Sequence, residues 1–257
     1  MNAIFDSHAH YDDASFDEDR DALLAALPQK NVCGVLCAAT CPESARRCLA
    51  LAEAYPHVWA SVGLHPSELD QADAQAIETF RRLYVHPKVV AVGEIGLDYH
   101  YDTFPREKQR EWFRRQLELA AELDAPVIVH DREAHEDTMK LLREFRPRGV
   151  VHCFSGSVEL MREVMQLGMS ISLGGAVTFK NARRPLEVAA EVPLDRLLLE
   201  TDAPYMTPVP FRGKRCDSTH IAYTAAQIAS VRGIGVDELL ACTTANALRL
   251  FGIRLPA

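Results

Sequence analysis

Ile4-Phe5-Asp6-Ser7-His8-Ala9-His10 is the stretch whose reading decides the fold. Ile4 and Phe5 are apolar and favour extended backbone, so the segment reads as a short buried strand. Neither a G-x-G-x-x-G run nor a P-loop follows it, which lowers the rival architecture, an open doubly wound sheet. Side chains two apart on a strand share a face. His8 and His10 therefore project together from the strand's C-terminal end, and two imidazoles held that way make half of a metal site.

Working outward, strands and helices alternate. Asp17-Glu18-Asp19 opens a helix with acidic residues in its first turn. Val32 to Ala39 reads as the second strand, and Pro42 starts the second helix. The third strand, Val58 to Leu64, runs into His65, and a polar helix follows through Ile77 and Phe80. Val89 to Gly93 is the fourth strand, ending at Glu94 before a long aromatic loop from Ile95 to Phe104 and a helix to Leu123. The fifth strand, Pro126 to Val129, ends at His130, and the sixth, Val150-Val151, ends at His152. Helices are expected over Ala134 to Phe145 and Val158 to Leu167. Ser170 to Leu173 is the seventh strand, followed by a helix around Arg184 to Ala190. Leu197 to Leu199 is the eighth strand, followed by Glu200-Thr201-Asp202, and two helices close the chain over Thr219 to Val231 and Val236 to Phe251. Eight strand–helix units with short connections predict a parallel sheet. At 257 residues they predict an α/β fold, a single closed (β/α)8 TIM barrel spanning residues 1–257.

Composition sets the bounds. The chain is 48% hydrophobic and 25% charged, as in an ordinary globular protein. It contains no apolar run long enough for a membrane span and no basic, apolar leader, so a cytoplasmic protein is expected. Its seven cysteines follow no CxxC pattern and read as small buried hydrophobes. Cys33 and Cys37 fall within a core strand, which argues against an iron–sulfur set with Cys41. The net charge is −8, so there is no general basic field for nucleic acid; any such contact must be local and metal-assisted.

The polar residues at strand ends carry the chemistry. They are His8 and His10 on the first strand, then His65, Glu94, His130, His152 and Asp202. In a barrel these ends converge on one mouth, where active sites lie. A lone histidine there is usually structural, but the recurrence at the same end of several strands points to metal. The ligand number suits two divalent ions. We place His8, His10 and Asp202 around one and His130 and His152 on the other, with Glu94 shared. Such a pair lowers the pKa of water and stabilises attacking and leaving oxygens. Asp202 is placed to take the water's proton, so the reaction class is metal-assisted hydrolysis, with Asp202 and Glu94 as catalytic groups.

The ordered motifs resemble the TatD-type metal-dependent hydrolases, a branch of the amidohydrolase-like barrels. They are Asp6-Ser7-His8-Ala9-His10, Gly63-Leu64-His65-Pro66, Gly93-Glu94-Ile95-Gly96-Leu97-Asp98-Tyr99, Pro105-Arg106-Glu107-Lys108-Gln109, Pro126-Val127-Ile128-Val129-His130, His152-Cys153-Phe154-Ser155-Gly156, Glu200-Thr201-Asp202-Ala203-Pro204-Tyr205, Arg212-Gly213-Lys214-Arg215 and Thr244-Ala245-Asn246-Ala247. The resemblance implies a TIM barrel and a divalent-metal-dependent, 3′–5′ exodeoxyribonuclease-like activity. It implies the same ligands, His8, His10, Glu94, His130, His152 and Asp202, with His65, Arg212 and Lys214 near the substrate phosphate. DNA ends, or another phosphodiester or ester, are the expected partner of a monomer that does not touch membrane. The family usually continues the Arg-Gly-Lys-Arg run with Asn, an acid and Pro; here it is Cys216-Asp217-Ser218, in a loop expected to border the mouth, with His220 on a helix surface. The resemblance suggests magnesium. Four imidazoles suit zinc or manganese better, so the two ions are expected to be Mg, Mn or Zn. Two other readings stay open: the same site acting on an ester or amide, such as an aminoacyl ester on RNA, and a non-catalytic metal-binding module.

Overall fold

The computed structural model describes residues 3–101 and 103–255. The ends of the expected 1–257 domain, and Asp102 within the expected loop, lie outside the described residues. Eight parallel strands follow one another around a barrel in sequence order: β1 (Ile4–Ala9), β2 (Val32–Cys37), β3 (Val58–Val62), β4 (Val89–Asp98), β5 (Val127–Arg132), β6 (Gly149–Val151), β7 (Ser170–Leu173) and β8 (Leu197–Leu199). Helices α1 (Arg20–Ala26), α2 (Pro42–Ala54), α3 (Ala74–Tyr84), α4 (Arg106–Glu122), α5 (His135–Phe145), α6 (Val158–Gln166), α7 (Arg183–Glu191), α8 (Ile221–Arg232) and α9 (Val236–Phe251) surround them. Among the described residues no helix is long and apolar enough to cross a membrane.

The barrel interior is built in layers. Phe5, Leu36, Ala38, Trp59, Ala91, Ile128, Val150 and Leu198 form an apolar floor, continued by Ala247, Phe251 and Ile253 from the chain's end. The polar strand ends stand above this floor. On β5 the step from floor to site is regular, Ile128 then His130. On β1 and β4 it is not: the floor uses Phe5 and Ala91, the site uses His8 and Glu94, and strict alternation would turn these pairs to opposite faces. Register irregularities between Asp6 and Ala9, and between Val92 and Ile95, restore the inward aim.

The expected fourth strand is too short. β4 runs on to Asp98, pairing Ile95 with Val129, Gly96 with His130, Leu97 with Asp131 and Asp98 with Arg132. The first four residues of the loop expected from Ile95 to Phe104 are therefore sheet. Its inward positions are Glu94, Gly96 and Asp98 because they face a polar mouth, and polar or glycine positions hide a strand from an apolar-run criterion. Gly96 sits at φ 145°, and a Cβ there would lie 2.0 Å from the His130 carbonyl oxygen. Only glycine lets β4 pass this close to β5.

The seam between β8 and β1 closes beyond the strands. His10 N–H donates to the Ala203 carbonyl (2.7 Å), Asp202 N–H to that of His8 (2.9 Å), and Ser7 Oγ–H to that of Leu199 (2.9 Å). Buried Asp6 gathers the rest. It accepts from Thr201 N–H (3.0 Å), Thr201 Oγ (2.6 Å) and Ser218 Oγ (2.7 Å). Ser218 also pairs with Tyr11 Oη at 2.8 Å. Asp6→Ala strands these buried hydroxyls and the amide, which should lower unfolding free energy by about 3 kcal/mol. Urea denaturation followed by far-UV circular dichroism checks this, and an unchanged midpoint would show that the seam does not depend on Asp6.

Candidate metal centre

The strand ends bring together His8, His10, His65, Glu94, His130, His152 and Asp202. Glu94, with 3% of its side chain exposed, lies at the middle. Its Oε2 is 3.2 Å from His8 Nε2 and 3.6 Å from His10 Nε2. Asp202 Oδ1 completes that group at 3.7 Å from His8 and 3.3 Å from His10, and the two Nε2 atoms are 3.1 Å apart. Donors sharing a tetrahedral ion at 2.0–2.2 Å lie roughly 3.3–3.6 Å from one another. The first donor set therefore has the spacing and the nitrogen–oxygen chemistry of a divalent-ion site.

The second set uses the other oxygen. Glu94 Oε1 is 2.8 Å from His130 Nδ1 and 2.7 Å from His152 Nε2, and those nitrogens are 3.2 Å apart. His65 Nε2 stands farther off, 3.5 Å from the same oxygen.

Outer partners orient the rings. His10 Nδ1 lies 2.9 Å from the Ala38 carbonyl. A carbonyl only accepts, so Nδ1 carries a hydrogen and Nε2 is the nitrogen that can offer a lone pair to the site once the ring is neutral. His130 Nε2 is 3.0 Å from Asp98 Oδ2, which likewise frees Nδ1. His65 is turned the other way: Ser67 N–H donates to its Nδ1, so the neutral ring presents a hydrogen at Nε2. The His8 and His152 rings stack at 3.9 Å, and Glu200 Oε1 lies 3.8 Å from His152 Nδ1. Glu200 is itself fixed by Cys153 N–H (2.6 Å) and by the Ser172 hydroxyl. Asp6, Asp98 and Glu200 sit inside the quoted motifs, but nothing in the sequence separates these buried acids from the ligands they support.

The electrostatics describe a pocket that demands positive charge. Burial opposes ionisation of Glu94, yet His152, His65, His8 and the bond to His130 hold it well below the usual range. Asp202 is lowered against burial by its bond to His10, and Asp98 is held at about 2 against burial by His130 and two backbone amides. Burial works against a charged His10, but Asp202 and Glu94 push it up to about 10. Burial takes His65 down to about 3 despite Glu94, so that ring is neutral.

Arg212 and Lys214 are not among the residues that line the cavity above this cluster. Arg212 packs over the Phe179 ring at 3.9 Å and donates to the Thr207 carbonyl at 3.1 Å, and Lys214 lies over Phe211. The cavity above the cluster, about 950 Å³, is lined by Arg20, Arg47 and Arg132 instead. In the departing loop the side chains have internal partners. Cys216 is buried, Ser218 serves the seam, and His220 Nδ1 accepts from Asp217 N–H in a capping box while its ring packs on Phe211.

Because His10 is protonated at neutral pH, a divalent ion entering at its Nε2 must displace a proton. Titration of manganese into metal-free protein at pH 7, in buffers of different ionisation enthalpy, should show about one proton or more released per ion bound. Apparent affinity should rise with pH towards the His10 value of about 10. Heats independent of buffer would show that His10 gives up no proton to an entering ion.

A family model described as TatD related DNase matches residues 5–252. The chain is similar to an uncharacterized metal-dependent hydrolase, YabD, of Bacillus subtilis, 40% identical over 97% of this chain and 99% of the relative. It is 37% identical to a 3′-5′ ssDNA/RNA exonuclease TatD of Musicola paradisiaca over 96% of this chain and 97% of that one. The solved structure of the TatD homologue YjjV from Escherichia coli superposes with a TM-score of 0.92 and 36% identity, covering 98% of each chain. The chain therefore belongs to the TatD family and is a metal-dependent hydrolase acting on ester bonds.

Proposed function

We propose that this chain is a two-metal phosphodiesterase that removes nucleotides from the 3′ ends of single-stranded DNA. The observation that carries the reading is Glu94, whose two oxygens face separate nitrogen sets. Phosphodiester cleavage develops charge on both the attacking and the leaving oxygen, and paired ions serve both. The exonuclease name of one relative points the same way. His8, His10, Asp202 and Glu94 Oε2 would hold one ion; His130, His152 and Glu94 Oε1 would hold the other. The imidazole-rich set favours zinc or manganese over magnesium. Bound divalent ions supply Lewis acidity and a water acidic enough to attack at neutral pH.

The chain's own groups do the rest. Asp202 has 19% of its side chain exposed against 3% for Glu94, so it is the carboxylate of the set that can reach an attacking water and accept its proton. Neutral His65 points an Nε2–H donor into the cavity, where it can meet a non-bridging phosphate oxygen. Its own shifted value keeps it from competing as a base.

A 5′-labelled single strand should give a ladder shortening from its 3′ end, stopped by a chelator and restored by manganese. Glu94→Gln should lower kcat at least about 100-fold, or ~2.7 kcal/mol of barrier, with the far-UV spectrum retained. Activity within about tenfold of the parent (~1.4 kcal/mol) would remove Glu94 from the shared role. Turnover of simple esters without any ladder would move the chemistry from phosphate to carbonyl. Bound metal, measured by plasma emission spectrometry, should fall from about two ions to about one in His8→Ala with His10→Ala, because four donors normally define one such site. Unchanged stoichiometry would break the assignment of the first set.

A further inference from the structure

Three side chains of β5 rise through the barrel interior in successive layers. Ile128 is part of the floor, His130 stands beside Glu94, and Arg132 lines the cavity above. They are two residues apart on a strand whose pairing with β4 runs unbroken from Val129 to Arg132, so they share one face. Each step climbs about 6.6 Å. An arginine is long enough to bend back over the layer beneath it.

The cavity wall carries three arginines, and two are already engaged. Arg20 donates to the Tyr11 and Asp13 carbonyls at 2.6 and 2.9 Å and to Asp17 at 2.6 Å. Arg47 donates to Asp12 at 3.3 Å and lies 3.8 Å from Glu43. Among the described residues the Arg132 guanidinium makes no ion pair and no hydrogen bond. It lies over the ring of Tyr101, 4.8 Å from the centroid. Stacking on an aromatic face orients a guanidinium while leaving its in-plane N–H donors available, the arrangement that suits bidentate phosphate contact.

Four acids stand on the opposite wall, beside the two engaged arginines. Asp12, Asp13, Asp17 and Glu68 line the wall nearest β1 and β3. A polyanion is repelled there and accepted on the Arg132 side.

We infer that Arg132 is the residue that grips the non-bridging oxygens of the substrate phosphate, and that Tyr101 is the platform that holds its guanidinium in place. A strand would then leave the site across the β4–β5 side of the mouth. The inference rests on the phosphodiesterase reading for its natural substrate, but phosphate binding tests it separately.

Thymidine 5′-monophosphate serves as the probe, titrated calorimetrically into manganese-loaded protein. Arg132→Gln should weaken its binding at least tenfold. Arg132→Lys should recover part of the loss, since a point charge replaces the fork. Tyr101→Leu should weaken binding several-fold, and the remote surface change Arg162→Gln should match the parent. Manganese content must be equal in all five proteins, so that a lost ion is not read as a lost contact. With single-stranded DNA, Arg132→Gln should raise KM at least tenfold and reduce the slope of log KM against log salt by about 0.7, the value of one phosphate contact on a single strand. Parent-like nucleotide binding by Arg132→Gln overturns the inference, as does a parent that binds no nucleotide. A parent that binds the nucleotide through Arg132 yet cleaves no DNA removes the nuclease reading and leaves the phosphate contact standing.

Discussion

The structure depends on a carboxylate that has been taken out of water. Burying an ionised group costs several kcal/mol unless positive charge and hydrogen bonds replace its hydration. Glu94 is buried beneath the mouth with both oxygens engaged, and five imidazoles from β1, β5 and the ends of β3 and β6 surround it. Neutral rings cannot repay that cost in full. The raised His10, His130 and His152 show the pocket holding protons to make up the difference. Divalent ions meet the same need with more charge. The low solvent access that makes the bare cluster proton-hungry is what would bind metal tightly.

Holding one acid among five histidines requires the barrel to bend its own periodicity. The step from floor to site obeys strand alternation on β5, from Ile128 to His130, and on β6, from Val150 to His152. On β1 and β4 a slip in register turns His8 and Glu94 inward above Phe5 and Ala91. Glycine permits the tight approach at the second place, where Gly96 faces the His130 backbone. The alternating pattern was therefore enough to expect that His8 and His10 share a face, and that polar residues follow each apolar strand. It could not show the slips, because a bulge leaves no mark on local composition. It also ended β4 early, since Glu94, Gly96 and Asp98 are polar or glycine where a buried strand is usually apolar.

The supporting acids were illegible for a different reason. Asp98 orients His130 from 32 positions away, Asp6 holds Thr201 across 195, and Glu200 reaches Cys153 across 47. Only the closed barrel makes these neighbours. Seen in the chain alone, each is one more acid beside a motif. The part played by the loop after Arg215 was hidden for the same reason. Cys216 and Ser218 pack into the seam between the first and last strands, with Ser218 bonded to Asp6 and Tyr11. At this departure from the family's usual Asn-acid-Pro, Ser218 is therefore held by internal hydrogen bonds.

Charge at the mouth then narrows how a phosphate can approach. The protein carries −8 overall, and the cavity wall adds Asp12, Asp13, Asp17 and Glu68. At physiological salt, fields fade over about 8 Å, so distant charges matter little and the wall matters most. Arg20 and Arg47 are engaged by that wall's own carboxylates and carbonyls, and Arg212 and Lys214 are not among the residues that line the cavity. A duplex, with two charged backbones and a wide cross-section, gains little from an entrance whose other two arginines are already paired. A single strand entering by its end can place one phosphate between the histidine cluster and Arg132 while the remainder of the chain stays clear of the acids. On the proposed exonuclease reading, selection of strand ends would come from electrostatic exclusion around the mouth as much as from any contact inside it.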